Sequence, residues 1–326
     1  MSDLYPFKFQ TIFKEKIWGG QKIKSILGKE FSPLSNCGET WELSVVDGNI
    51  SVVDSGHLQG TKLTELLDSY GAQIVGNRIY NECGSDFPLL IKFIDANDDL
   101  SIQVHPDDHL ALARHQSKGK TEMWYVLQAD VNSSLISGFN QPLDKSTYLQ
   151  YFNENRLEEV LNRENVKSGD VIFIPSGRVH TIGKGILLAE IQQTSDITYR
   201  IYDFDRLNAD GNSRELHVEQ ALDAIDFKYY DSYLTPYQDV INTTNTLVDC
   251  PYFHTSKLNF QKEVNPDYSA IDSFIIYICV GGSALMKYST GEMMLRLGDV
   301  FLIPAMFNNI ELRPYQNCQI LEVYVP

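Results

Sequence analysis

"SGDVIFIPSGRVH", residues 168–180, and "LGDVFLIPAMFNN", residues 297–309, are two versions of one pattern. Each opens on a Gly-Asp turn, runs through an apolar strand and closes on Pro. Upstream of each lies a second apolar segment, "EMWYVLQAD" (122–130) and "FIIYICVGG" (274–282), aligned so that Tyr125 falls opposite Tyr277. The repetition predicts two related β units in one chain. The copies are not equivalent. Glu122 falls opposite Phe274 and His180 opposite Asn309, so the first copy carries ionisable groups that the second lacks.

Most of the remaining sequence reads the same way, as short strands between Gly, Pro, Asn and Asp: "NISVVDSG", "PLLIKFID", "MWYVLQAD", "DVIFIPSG", "ITYRIYDF" and "DVFLIPAM". Such spacing predicts a mainly β fold of sandwich or barrel type. Helices interrupt it. In "TKLTELLDSYG", Leu63, Leu66, Leu67 and Tyr70 share one helical face and Gly71 supplies a stop. In "NRLEEVLNREN", Asn155 and Glu158 form a capping-box pattern ahead of Leu157, Val160 and Leu161. "RELHVEQALDAIDF" is a third amphipathic helix and "DDHLALARHQ" a fourth. The turn-rich "DSYLTPYQDVINTTNTL" is the best boundary, which divides the chain into 1–236 and 237–326.

The chain has 326 residues and a formal net charge of −16, which argues against a nucleic-acid surface and requires any anionic ligand to find a local basic pocket. Five cysteines, Cys37, Cys83, Cys250, Cys279 and Cys318, are odd in number, scattered and without a CxxC pair. They read as free thiols rather than a disulfide framework or zinc ribbon. The N-terminal segment has no apolar signal core and no stretch reaches 18 apolar residues, so a soluble cytoplasmic protein is expected, without membrane partners.

The chemistry concentrates in "SIQVHPDD", residues 101–108. Strand alternation puts Ser101, Gln103 and His105 on one face and Ile102 and Val104 on the other. The same parity joins Lys120 to Glu122 in "KTEMWY", and His180 follows the "IPSGRVH" turn. Gln103, His105, Glu122 and His180 all offer N or O lone pairs to a divalent metal, and Zn, Fe, Mn, Co and Ni all suit such a set. With an open position for substrate or water, the set would be catalytic. His57, His109, His115, His217 and His254 read as ordinary surface or core residues, with His109 and His115 exposed on a helix.

The order QxH, then Glu, then a distant His after "GDVIFIPSGRVH" resembles the cupin superfamily. "IWGG" (17–20), "GETWELS" (38–44), "LLIKFIDANDDLSIQVHPDD" (89–108), "GKTEMWYVL" (119–127), "IPSGRVHTIGKGILLAEIQQTSDITYRIYDFDR" (174–206) and "RELHVEQALD" (214–223) narrow the resemblance. Together they resemble the zinc-dependent type I mannose-6-phosphate isomerases in their short bacterial form. The resemblance implies two cupin jelly-roll domains with short helical insertions, 1–236 binding one zinc ion per chain and 237–326 ligandless. It also implies isomerisation of mannose 6-phosphate and fructose 6-phosphate, with a small sugar phosphate as partner. Longer members carry a helical domain between the Glu and the last His, which this chain lacks, so contacts made by that domain do not transfer.

Aldose–ketose isomerisation moves a proton between C1 and C2 through an enediolate, whose charge a metal and fixed cations can stabilise. By resemblance, Arg200 stabilises the enediolate or the phosphate, Lys120 is an active-site lysine, and Glu190 is a candidate base, with a metal-activated water as the alternative. Asp196 is a partner for Arg200 or for a ligand. Lys92 and Ser101 resemble substrate-binding residues, and Trp18 and Trp41 pocket-lining ones. Two other readings use the same ligands: an iron-dependent cupin dioxygenase and a non-enzymatic sugar-phosphate-binding cupin. Gln103 in a His position and three cations near the pocket count against the first; Lys120, Glu190 and Arg200 count against the second.

Overall fold

The computed structural model describes residues 4–207 and 211–326. It is built on three antiparallel sheets. The first holds, in spatial order, Ile12–Lys14, Glu39–Leu43, Leu89–Ala96, Ile186–Gln193, Glu122–Ala129 and Val171–Ile174. The second holds Tyr199–Tyr202, Ile102–Val104, His180–Thr181, Ser134–Phe139 and Leu161–Asn165. The third is built wholly from later residues: Thr244–Asp249, His254–Phe260, Glu311–Tyr324, Ile275–Tyr288 and Gly291–Arg296, with Val300–Ile303 paired to Ile275–Tyr288. The fold is the expected one, mainly β with short helical insertions and cupin in kind.

Alternation decides what each face meets. On the first sheet, Ile94, Trp124, Val126 and Leu188 turn inward with Trp18, Leu100, Ile172 and Ile182 to form a small core beneath the site. The opposite face, with Ile91, Phe93, Met123, Tyr125, Ala189 and Ile191, joins one large core with Leu258, Phe260, Ile276 and Ile278 of the third sheet. The outer face of the second sheet, including Ile102, Val104 and Tyr199, is covered by Tyr148 and Ala221. These lie on helices Lys145–Asn153 and Val218–Ala224.

The repeated turn is reproduced in detail. Gly169 and Gly298 both adopt positive φ, +92° and +85°, where a Cβ would be strained. Each following aspartate accepts a backbone hydrogen bond from three residues upstream, Asp170 from Lys167 and Asp299 from Arg296. The strand register differs from the sequence alignment by one residue. Gly169 donates to Val126 O and Gly298 to Cys279 O, so Glu122 corresponds to Ile275 and Trp124 to Tyr277. The Tyr125–Tyr277 match is therefore coincidental. A one-residue slip reverses the face, and Tyr277 sits where the first copy places Trp124.

Two local expectations fail. "NRLEEVLNREN" is not a helix: Asn155 has φ +57°, Leu157–Glu159 is a 3₁₀ turn, and Leu161–Asn165 is an edge strand on Ser134–Phe139. Leu157, Val160 and Leu161 are buried as expected, but by a turn followed by a strand. The helix of this region lies earlier, at Lys145–Asn153, capped by Asp144, whose side chain accepts from Thr147 N. "NISVVDSG" contributes only isolated bridges at Val52 and Val53. The helices Leu63–Tyr70, Asp108–His115 and Val218–Ala224 form where the sequence places them.

Candidate active site

Cross-strand registers assemble the site. In the second sheet Arg200 pairs with Gln103, and Gln103 with His180. In the first, Trp41 pairs with Lys92, Lys92 with Glu190, and Glu190 with Trp124. The two rows face each other across a cavity of about 470 Å³, within the usual range for small-molecule sites. Ile102 and Val104 are buried in the outer core, so parity turns Gln103 into the cavity.

Behind the lining residues Gln103 and Lys120, one atom each from His105, Glu122 and His180 lies within 4.8 Å of the others, all three residues being buried. His105 Nδ1 lies 2.9 Å from Ile197 O and His180 Nδ1 2.8 Å from Arg178 O. Each carbonyl assigns the ring proton to Nδ1 and leaves the Nε2 lone pair facing inward. Burial, reinforced by Lys120, holds His105 well below the ordinary histidine range; burial brings His180 down to about 4. Both rings are therefore neutral at pH 7. Glu122 faces them, Oε2 3.5 Å from His105 Nε2 and Oε1 3.4 Å from His180 Nε2. Burial and the nearby Glu190 push its carboxyl up to about 7. Neither oxygen receives a well-directed hydrogen bond; Lys120 Nζ, 3.0 Å from Oε2, contributes charge. Buried acceptors converging with so little compensation are costly unless a cation sits among them. The cluster is compatible with a divalent metal. Gln103 Nε2 lies 3.2 Å from His180 Nε2, and turning its amide would present the carbonyl oxygen to the same point.

Trp18, Trp41, Lys92, Ser101, Gln103, Lys120, Glu190, Asp196 and Arg200 all line the cavity. Glu190 is fully committed: Oε1 accepts from Lys92 Nζ at 3.0 Å and Oε2 from Trp124 Nε1 at 2.9 Å. Burial alone would raise its pKa; Lys92, Lys120 and these bonds bring it down to about 2. Asp196 is exposed at the wall, and among the described residues its carboxylate has no hydrogen-bond or ion-pair partner. Arg200 donates to Ser101 Oγ at 3.3 Å and Glu215 O at 2.8 Å.

Four charged lining residues escaped the sequence reading: Lys14, Lys16, Glu39 and Arg214. Lys14 pairs with Glu39 across neighbouring strands. Its ammonium lies 4.9 Å from the Trp41 ring, with Lys92 Nζ 5.2 Å from the same ring. Glu39 accepts from Trp41 Nε1 at 2.8 Å and pairs with Lys16 at 3.2 Å. Parity within "KEK" and "GETWE" groups these residues by face, but not by neighbour. The wall thus carries six cations, the local basic pocket that a chain of charge −16 needs for an anion. His57, His109, His115, His217 and His254 belong to no metal-type cluster among the described residues.

A neutral His pair and a buried carboxylate between two jelly-roll sheets, under a cationic cavity, define a cupin built for metal-assisted chemistry on a small anion. Residues 6–132 match the catalytic domain of phosphomannose isomerase type I, and residues 243–325 the cupin domain of mannose-6-phosphate isomerase. A mannose-6-phosphate isomerase of Bacillus subtilis (strain 168) is 34% identical over 319 residues, 96% of this chain and 97% of that protein. One from Streptococcus mutans is 34% identical over 300 residues, 92% of each. The crystal structure of the mannose 6-phosphate isomerase from Bacillus subtilis superposes with a TM-score of 0.88 at 33% identity, covering 98% of this chain and 99% of that one. This chain belongs to the type I phosphomannose isomerase family. No helix among its described residues is long and apolar enough to cross a membrane.

Proposed function

We propose that this chain interconverts mannose 6-phosphate and fructose 6-phosphate, with one zinc ion held by Gln103, His105, Glu122 and His180. Residues 1–236 form the catalytic cupin in this reading, and 237–326 a ligandless one. The observation that carries it is the buried convergence of two neutral Nε2 atoms and an under-compensated carboxylate directly behind Gln103 and Lys120, which line a cationic cavity. When bound, the metal supplies Lewis acidity to the sugar's carbonyl. Five free cysteines support a reducing, cytoplasmic setting.

The chain's own groups then divide the work. Lys120, buried beside Glu122, brings positive charge to the oxygens of the enediolate. With Oε1 bonded to Lys92, Oε2 bonded to Trp124 and its charge stabilised by Lys92 and Lys120, Glu190 is a poor acceptor for a carbon-bound proton and serves to fix Lys92 and Trp124. Asp196, on the wall and unpartnered, carries the proton between C1 and C2. Lys16 and Arg214 are each paired with a carboxylate, whereas Lys14 and Arg200 have none at ion-pair distance among the described residues. These two cations are the natural holders of a phosphate dianion and of developing negative charge. Trp18 and Trp41 wall the sugar, and Ser101 orients Arg200.

Conversion of mannose 6-phosphate to fructose 6-phosphate is measured before and after chelation, and again after zinc is added back. Loss and recovery of turnover support the reading; no turnover in zinc-loaded protein ends it. Lys14→Met removes a wall cation whose ammonium donates to the Asn49 amide oxygen rather than to a carboxylate, and is expected to raise KM for mannose 6-phosphate about tenfold, the scale of a charge-assisted hydrogen bond. Steady-state kinetics check this, and an unchanged KM places the phosphate elsewhere.

A further inference from the structure

We infer that the ligandless C-terminal unit is part of the catalytic apparatus, with the Tyr252 hydroxyl acting through Asp108 as a positioning group for the segment that bears Lys120 and Glu122. Tyr252 lies in the turn between strands Thr244–Asp249 and His254–Phe260, a turn held by Cys250 N donating to Phe253 O. Its hydroxyl donates to Asp108 Oδ2 at 2.7 Å. The other oxygen, Oδ1, accepts from Gly119 N at 2.8 Å and Gln193 Nε2 at 3.0 Å. Gln193 Oε1 in turn accepts from Thr121 N at 2.8 Å, and Gln193 N donates to Thr121 O at 3.1 Å.

One carboxylate therefore ties three stretches together: the one following His105, the one leading into Lys120 and Glu122, and the end of the strand that carries Glu190. The packing between the first two is tight. A Cβ on Gly119 would lie 2.5 Å from Asp108 N and 2.6 Å from Asp107 C, so only glycine permits the approach. Among the described residues, Tyr252 is the only hydrogen-bond donor to Asp108 Oδ2. Without it the half-buried carboxylate is free to turn, and its hold on Gly119 and Gln193 loosens. Small misplacements of this kind matter for groups that must meet both a metal and a reacting carbon. In the C-terminal unit's own interior, the Tyr268 hydroxyl donates to Glu322 and meets the Tyr277 hydroxyl, and the unit's contribution to the first unit's site is the Tyr252 contact at its edge.

The test is Tyr252→Phe, which keeps the ring and deletes the donor, alongside Tyr237→Phe. Tyr237 donates to Gly169 O at 2.8 Å and does not reach the site. Zinc affinity is measured by competition with a chelator, and kcat and KM at saturating zinc. Tyr252→Phe is expected to weaken zinc binding and lower kcat about tenfold each, with KM within about twofold, the range found for groups that orient metal ligands. Tyr237→Phe is expected to leave both at wild-type values. Wild-type values of both in Tyr252→Phe, or equal losses in the two variants, overturn the inference. Its kinetic half rests on the isomerase reading. Wild-type protein that binds zinc without turning over would end that reading, and the zinc affinities would still decide the role of Tyr252.

Discussion

Glu122→Gln is expected to empty the metal site and lower isomerase turnover by about a thousandfold. Glu122 is wholly buried, and its two oxygens lie 3.5 and 3.4 Å from the lone-pair nitrogens of His105 and His180. It is the one anion in the His–Glu–His cluster, and a neutral amide replaces its charge with a weaker dipole. Lewis-acid stabilisation by a bound metal is worth several kcal/mol, and about 4 kcal/mol corresponds to three orders of magnitude in rate. The apo fold should not suffer. Glutamine is isosteric, and burial already opposes ionisation of the glutamate. The melting temperature of the metal-free variant should match that of metal-free wild type to within a few degrees. Metal content after dialysis, read beside turnover, checks the prediction. Full activity with the metal gone would sink metal-assisted catalysis at this cluster. His105→Ala and His180→Ala should behave alike, each removing a neutral donor whose Nδ1 is anchored to a backbone carbonyl.

Arg200→Ala should keep the metal and lose turnover by about a hundredfold, the scale of one donor removed from a developing negative charge. Arg200 touches no member of the His–Glu–His cluster; it pairs along the backbone with Gln103 and holds its side chain with Ser101 Oγ and Glu215 O. Those two contacts leave a half-buried guanidinium over the cavity, with no carboxylate at ion-pair distance among the described residues. Arg200→Lys should recover only part of the loss, because a single ammonium cannot reach Ser101, the Glu215 carbonyl and the substrate together. Wild-type rates in Arg200→Ala, with metal content unchanged, would remove Arg200 from the mechanism.

Why was so much of this site legible in the chain? Period-two alternation is a local property, and it sorted Gln103 from Ile102 and Val104, and Glu122 from Met123, without reference to any partner. Donor chemistry is also local, so Gln103 and His105, then Glu122, then His180, in that order across strands of a β-rich unit, already pointed to a metal. The Gly-Asp turns could be read because φ near +90° selects glycine, and the aspartate closes its turn within three residues.

Pairing is not local, and there the sequence fell short. "NRLEEVLNREN" has helical spacing, yet Leu161–Asn165 became a strand because Ser134–Phe139 offered an open edge, which no window of that segment reveals. The two β units align by sequence with Tyr125 opposite Tyr277, and only the hydrogen bonds from Gly169 and Gly298 show the one-residue offset. Lys14 became a wall of the cavity by pairing with Glu39, and Tyr252 a support of the site by reaching Asp108 from another sheet. The sequence by itself determined which groups share a face and what chemistry they can do, because alternation and donor type are written residue by residue. The tertiary structure alone decided which of those faces meet, because register and sheet contacts depend on partners that lie far away along the chain.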